Sequence, residues 1–178
     1  MAATQEELQS LNTALKTEQD GRAFYLEAAR RATNPLAKSV FTHLAAEELT
    51  HIEVIQKFYD ELKESGTCRE AESGLKTSEK SQARLKNVFE KACRDIDQVV
   101  TGDTASLEAY QKAMEIEQQA YDMYKKLLET SGDCMAHQLY EFMMEQENRH
   151  YVFLKETYDY LENPGDWFLR EEKPLFEG

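Results

Sequence analysis

Two segments of the sequence carry the same pair of metal-ligating residue types at the same spacing. Glu48 precedes His51 by three residues, and Glu147 precedes His150 by three residues. Residues three apart on a helix are neighbours on its surface, so each carboxylate and imidazole would project side by side. A single Glu-x-x-His pattern indicates little, because it is short and common in acidic helical proteins. Two copies favour a paired metal site.

The two copies belong to an internal repeat in which the second half of the chain follows the first at an offset of 99 residues. Self-similarity at a fixed offset indicates one structural unit used twice. The shift aligns Leu8 with Leu107, Glu18 with Glu117, Tyr25 with Tyr124, Phe41 with Tyr140, Glu48 with Glu147, and His51 with His150.

The composition of the chain and its small number of glycines and prolines predict an all-α protein. The chain has only 7 glycines and 3 prolines, and the runs between them are rich in Ala, Leu, Glu, Lys and Gln. Thr4 and Glu7 form a capping box that opens a first helix, which can run to Asn34 and Pro35. The four predicted helices span about 4–34, 35–63, 104–131 and 133–161.

The connections between these helices predict how they are arranged. Within each repeat unit two or three residues join the helices, which makes them antiparallel neighbours in a hairpin. The segment of about 65–102 is too long for a turn, and its part 77–100 is compatible with a helix. We therefore expect a four-helix bundle of two hairpins with a long, partly helical crossover. The bundle would occupy residues 1–166, followed by a tail over 167–178.

Each predicted helix has an acidic residue in its apolar stripe, at Glu18, Glu48, Glu117 and Glu147. Four buried carboxylates would each cost several kcal/mol to desolvate, and they would repel one another. Two divalent cations would neutralise the four charges, and each of the two histidines would add a nitrogen ligand. The pattern therefore predicts two metal ions at mid-height in the bundle.

These motifs resemble the rubrerythrin-like branch of the ferritin-like superfamily, whose members hold two metal ions with bridging carboxylates. The resemblance covers about residues 4–162, and the closing NPGDWFLREEKPLFEG is similar to the tail of small members of this group. No CxxC pair is present, so the rubredoxin domain of some members is missing. The residues that carry the resemblance are Glu18 to Tyr25, Glu48-Leu49-Thr50-His51, Glu117 to Tyr124 and Glu147-Asn148-Arg149-His150.

The resemblance implies a ferritin-like fold and a role for each of these residues. Glu48 and Glu147 would bridge the two metal ions, and Tyr25 and Tyr124 would hydrogen-bond ligand carboxylates and act as the catalytic residues. Ala120 occupies a position where rubrerythrins carry an additional glutamate, so ligand switching by that residue is not expected here. The six implied metal ligands are Glu18, Glu48, His51, Glu117, Glu147 and His150.

The ligand set of oxygen and nitrogen donors without a thiolate suits iron or manganese. The resemblance favours two iron ions and the reduction of hydrogen peroxide, or of O₂, in oxidative-stress defence. A separate electron donor such as a rubredoxin would then be the partner. Three alternatives stay open: a ferroxidase or iron-handling protein, a manganese catalase, and a non-catalytic helical interaction protein.

Charge and composition limit the partners. The chain has 34 acidic and 21 basic residues and a net charge of −13, which argues against binding to nucleic acid. No apolar run is long enough to span a membrane and no signal peptide is evident, so we expect a cytoplasmic protein without a membrane partner. Aromatic residues at surface positions and in the tail suggest a homodimer. The three cysteines are expected to be reduced thiols.

Other polar residues receive simpler interpretations. His43 and His137 lie off the repeat and are expected at the surface or at helix caps. Three glutamates should be solvated because they point away from the apolar stripe, namely Glu47, Glu115 and Glu145.

Overall fold

The computed structural model describes residues 5–65, 102–131 and 134–165 of the chain. The described residues form an all-α four-helix bundle, as the sequence predicted. The expected crossover, the C-terminal tail, Thr4, Cys68 and Cys93 lie outside the described residues. No helix in the described ranges has the length and apolar character needed to cross a lipid bilayer. The helices are α1 (Gln5–Arg31), α2 (Pro35–Ser65), α3 (Thr104–Thr130) and α4 (Cys134–Glu162).

The bounds of the helices follow the internal repeat. Both α1 and α3 contain 27 residues, and α3 begins 99 residues after α1. Helix α4 likewise begins 99 residues after α2. Helix α1 packs along α2 and helix α3 packs along α4, so the described residues form two helical hairpins.

The first helix is shorter than predicted, because Asn34 caps the start of the next helix. The side chain of Asn34 accepts a hydrogen bond from the backbone N–H of Ala37 at 3.1 Å, which caps the start of α2. A residue that precedes a proline is also disfavoured in a helix, and Pro35 follows directly. Helix α1 therefore ends at Arg31, three residues before Asn34.

The start of α3 joins both hairpins at one end of the bundle. Asp103 caps α3 by accepting from the backbone N–H of Ser106 at 2.6 Å, and it also accepts from the Thr33 hydroxyl at 2.7 Å. The backbone N–H of Gly102 donates to the carbonyl of Leu161 at 2.8 Å. Helix α3 thus begins where α1 and α4 end, so α1 and α3 run antiparallel.

Two apolar clusters fill the bundle, one at each end. Burial of each large apolar side chain stabilises the fold by about 1.5–3 kcal/mol. The cluster beside the start of α3 includes Tyr25, Leu36, Phe41, Leu44, Tyr110 and Leu154. The opposite cluster includes Leu11, Ile55, Phe58, Tyr124, Leu139 and Met143.

Candidate metal centre

A buried polar layer separates the two apolar clusters. It contains one glutamate from α1, one from α3, and a glutamate with a histidine from each of α2 and α4. All six side chains come from the seam positions at which their helices face one another. The structure brings together Glu18, Glu48, His51, Glu117, Glu147 and His150, each at most 2% exposed.

The imidazole of His51 lies among carboxylates from three helices. Its Nδ1 atom is 3.0 Å from Oε2 of Glu18, which is a hydrogen-bonding distance. The same atom is 3.6 Å from Oε2 of Glu48 and 3.5 Å from Oε1 of Glu147. One ring nitrogen therefore faces oxygen donors from α1, α2 and α4.

His150 has a similar environment on the other side of the layer. Its Nδ1 atom is 3.4 Å from Oε1 of Glu48 and 3.6 Å from Oε2 of Glu117. The rings of His150 and His51 stack with centroids 5.2 Å apart and an interplanar angle of 18°. The two imidazole rings therefore face each other at the centre of the bundle.

These donors form two groups. Within each group, the ligand atoms all lie within 4.8 Å of one another. One group is Glu18, Glu48 and His51. The other contains Glu48 again, together with Glu117, Glu147 and His150. Glu48 belongs to both groups, and Glu147 also approaches His51 from the second group. Both carboxylates that the resemblance assigned as bridges thus lie close to both histidines.

Several ligand atoms at this centre have no hydrogen-bond partner among the described residues, although each is buried. They are Oε2 of Glu117, Oε1 of Glu147 and both ring nitrogens of His150. Buried polar atoms without a partner are costly, and a bound cation would satisfy them. Two donors each about 2.1 Å from one metal ion lie about 3 to 3.5 Å apart, close to the distances found here. The residues present therefore fit a pair of metal ions.

Two tyrosines hold the carboxylates of α1 and α3 from the opposite hairpin. The Tyr25 hydroxyl on α1 donates to Oε1 of Glu117 on α3. The Tyr124 hydroxyl on α3 donates to Oε1 of Glu18 on α1. Both phenols are fully buried. Each carboxylate keeps its second oxygen directed at the histidine layer, since Oε2 of Glu18 faces His51 and Oε2 of Glu117 faces His150.

Comparison with known proteins agrees with this arrangement. A family model described as rubrerythrin matches residues 9–158. The chain belongs to the rubrerythrin family. No curated protein and no solved structure gives a significant match. The matched range contains the six buried donors and both tyrosines, and membership of the family together with the buried cluster is compatible with a site for two metal ions.

In the absence of metal, the centre of this rubrerythrin-family chain retains protons. Burial, together with the neighbouring charge of Glu48, raises the pKa of Glu18 to about 8. Burial and the surrounding carboxylates raise the pKa of Glu147 well above its usual range. Burial by itself would lower the pKa of His51, but hydrogen bonds and charges from Glu18 and Glu48 raise it to about 9. These protons are what a bound cation would displace.

Small residues stand beside the carboxylates at one matched position of the repeat. Gly21 lies on α1 one turn after Glu18, and a Cβ atom added there would meet Cδ and Oε2 of Glu48 at 3.7 Å. Its counterpart on α3 is Ala120, which is 3% exposed. A family member with a glutamate at the Ala120 position would add a fifth acid to this layer, and this chain has a methyl group instead.

One prediction about the other glutamates is wrong. Glu47 is only 8% exposed, and its Oε1 atom lies 3.7 Å from Nε2 of His43. Glu47 aligns in the repeat with Gln146, which is also buried at 3% exposed. The polar type of the two aligned residues did not distinguish an inward position from a solvated one, and only the packed structure shows that both are buried.

The prediction for His43 is wrong as well, because it lies inside α2 with a side chain only 15% exposed, whereas the predictions for Glu115, Glu145 and His137 agree with the structure. Glu115 and Glu145 are exposed and pair with Lys112 and Arg149 on their own helices. His137 contacts the carbonyl of Ser131 through Nε2 at 2.6 Å, which satisfies the C-cap residue of α3. Glu115, Glu145 and His137 do not contribute to the buried centre.

Proposed function

We propose that this protein is a diiron redox protein that reduces hydrogen peroxide with electrons from a separate donor. The observation that carries the proposal is the buried layer of four carboxylates and two imidazoles, in which four ligand atoms have no hydrogen-bond partner among the described residues. A layer of this kind is stable only with bound cations or bound protons. The donors are oxygen and nitrogen without sulfur, which suits iron.

The six residues would bind the two ions in the following way. Glu18 and His51 would bind one iron ion, Glu117 and His150 would bind the other, and Glu48 and Glu147 would bind both. When bound in the ferrous state, the pair supplies two electrons, which with two protons convert one hydrogen peroxide into two water molecules. The apolar clusters above and below the layer exclude bulk water from this reaction.

The two tyrosines hold protons at the centre. Burial and the charge of Glu117 raise the pKa of Tyr25 well above its ordinary value, so its hydroxyl stays protonated at neutral pH. Burial and Glu18 have the same effect on Tyr124. Each hydroxyl therefore donates to a ligand carboxylate, orients it, and offers a proton within one hydrogen bond of the site.

The test is oxidation of the reduced, iron-loaded protein in a stopped-flow instrument under anaerobic conditions. We expect hydrogen peroxide to oxidise the ferrous protein rapidly, with one peroxide consumed for every two iron ions and no release of O₂. The matched control is Glu145→Gln, which changes an exposed acid on the same helix as Glu147 and should react as wild type does. Glu147→Gln should lose the reaction.

Three other results would overturn the proposal. Ferrous protein that peroxide does not oxidise would contradict peroxide reduction. Release of O₂ from peroxide by the manganese-loaded protein, without an external reductant, would identify a catalase. Protein-bound iron well beyond two ions per chain would identify an iron-handling protein.

A further inference from the structure

A cavity of about 550 Å³ opens between α1 and α3, near the end of the bundle where α1 finishes. Its apolar surface comes from Phe24 and Phe41 together with alanines on both helices, including Ala28, Ala105 and Ala109. Cavities that bind small molecules usually have volumes of about 300–1,000 Å³. The cavity therefore has the size and the aromatic wall of a site for a compact ring compound.

At two of the three alanines that leave this space open, the repeat has a larger side chain at the matching position. Ala28 aligns with Leu127 in the second repeat unit, and Ala105 aligns with Glu6 in the first. Ala109 aligns with Ser10. The cavity thus breaks the internal symmetry that the six buried donors preserve.

The aromatic wall of the cavity leads directly to the candidate metal centre. The ring of Tyr25 lies against Phe24 edge-on, with centroids 5.5 Å apart, and is stacked on Phe41 at 6.1 Å. The hydroxyl of the same tyrosine donates to Glu117. A ring bound in the cavity would be separated from a ligand carboxylate by one phenylalanine and one tyrosine.

The rim of the cavity is polar and mostly acidic. Glu27 is held by Arg30 and Arg31 at distances of 2.5 to 2.7 Å, so Arg31, which belongs to the lining, is already engaged. Asp103 and Glu108 provide further carboxylates, and hydrogen bonds from Thr33 and Ser106 lower the pKa of Asp103, which keeps it ionised. Such a rim accepts hydrogen bonds from hydroxyl groups and repels anions.

We propose that this cavity binds a small, uncharged hydroquinone, which delivers electrons to the metal centre through the phenylalanine wall and Tyr25. The hydroquinone gives up two electrons and its two hydroxyl protons and leaves as the quinone. With the centre loaded, the two electrons would convert two ferric ions to ferrous ions, and the two protons would be released to water at the rim. This inference rests on the proposed function, for which it names a class of electron donor.

Binding is tested with menadiol, a methylated naphthohydroquinone, by anaerobic calorimetry on the ferrous protein. Because both partners are already reduced, only binding contributes to the signal. We expect saturable binding to wild type, and affinity weaker by about tenfold or more in Ala28→Leu, because the leucine occupies volume that the ring needs. Ala109→Leu fills the same space from α3, and thermal melting shows which variants are folded. Ala46→Leu, on an exposed part of α2, is the matched control with unchanged affinity.

Electron delivery is tested separately on the diferric protein by comparing the rates of reduction by menadiol and by dithionite. We expect the ratio of the menadiol rate to the dithionite rate to fall in Ala28→Leu and also in Phe41→Leu, which keeps an apolar wall but removes the ring. Absence of menadiol binding to wild type, as expected if another part of the chain or a second copy covers the cavity, overturns the inference. Unchanged affinity in both folded leucine variants of the cavity also overturns it. A third outcome separates the two proposals. If menadiol binds but hydrogen peroxide does not oxidise the ferrous protein, the result supports this site and contradicts only the peroxidase proposal.

Discussion

Glu18 and Tyr124 are 106 residues apart in the chain and meet at the centre of the bundle, where the phenol donates a hydrogen bond to the carboxylate. Tyr25 and Glu117 repeat this contact in the opposite direction between the same two helices. Each hairpin therefore positions an acid that belongs to the other hairpin. The geometry of the centre depends on correct packing of α1 against α3, and metal binding should be coupled to that packing.

Removing one phenol hydroxyl should lower both the stability of the fold and the metal affinity of the centre. In Tyr124→Phe, the buried Oε1 of Glu18 loses its donor, which should cost about 1–3 kcal/mol in the free energy of unfolding. Loss of such an orienting contact typically lowers metal affinity by about 10–100-fold. Denaturant unfolding of the metal-free protein and competitive iron titration measure the two effects.

Tyr110→Phe is the matched control for that experiment. Tyr110 is also fully buried, but its hydroxyl has no hydrogen-bond partner among the described residues. Removing it should leave stability and metal affinity unchanged or slightly higher. Equal losses in the Tyr110 and Tyr124 variants would show that the hydroxyl contact with Glu18 has no special role.

Replacing Glu147 should have opposite effects on the metal-free and metal-loaded proteins. Burial and neighbouring acids raise the pKa of this carboxyl, so the metal-free fold already favours its neutral form. Glu147→Gln should therefore melt at the same or a higher temperature than wild type without metal. It should lose most of the stabilisation by iron and bind fewer than two ions, as measured by elemental analysis. An undiminished iron content would contradict the assignment of Glu147 as a shared ligand.

The stability of the metal-free protein should fall as pH rises from 5 to 9. The pKa of Glu18 is raised from 4.5 to about 8 and that of His51 from 6.5 to about 9. The pKa values of Glu147 and His150 are shifted in the same direction. In this window the folded protein binds more protons than the unfolded chain, so each group's stabilising contribution is lost as pH passes its folded pKa.

The ionisation of Glu48 does not change the direction in which the stability of the metal-free protein depends on pH. Burial raises its pKa, but close contacts with Glu18 and the two histidines lower it by more, so Glu48 is ionised in both states above pH 5. Metal affinity should change in the opposite direction and rise with pH, because the ions displace protons. Melting curves with and without bound iron at several pH values provide the measurement. A metal-free melting temperature that rises steadily from pH 5 to 9 would contradict the prediction.

Gly21→Ala should stabilise the protein without affecting the metal centre. A glycine within a helix costs roughly 0.5–1 kcal/mol relative to alanine. The added methyl group would meet Glu48 at 3.7 Å, an ordinary contact, and the repeat already has alanine at the matching position, Ala120. We expect a gain of about that size in chemical denaturation and unchanged iron stoichiometry. A loss of bound iron would show that the space beside Glu48 must stay empty.

Much of the architecture was predictable because it depends on local periodicity. The spacing of apolar residues and the 99-residue repeat identified four helices, two hairpins and the stripe positions of all six buried donors. The end of α1 was missed because two effects compete at Asn34: its helix-compatible context, and its role as the cap of α2 before Pro35. The burial of Glu47 was missed because the sequence analysis assigned one apolar stripe to each helix. A helix that packs against neighbours on two sides also buries residues beside that stripe.

The sequence by itself determined which residues share a helical face, since that follows from the geometry of one helix. It determined the matched positions of Glu48, His51, Glu147 and His150 and the chemistry that such a set favours. Only the tertiary structure decided that Tyr25 holds Glu117 rather than an acid of its own hairpin, and that a cavity lies beside Phe41. Those features arise where separate helices pack, and packing is fixed by side-chain shape across helices rather than by spacing along one.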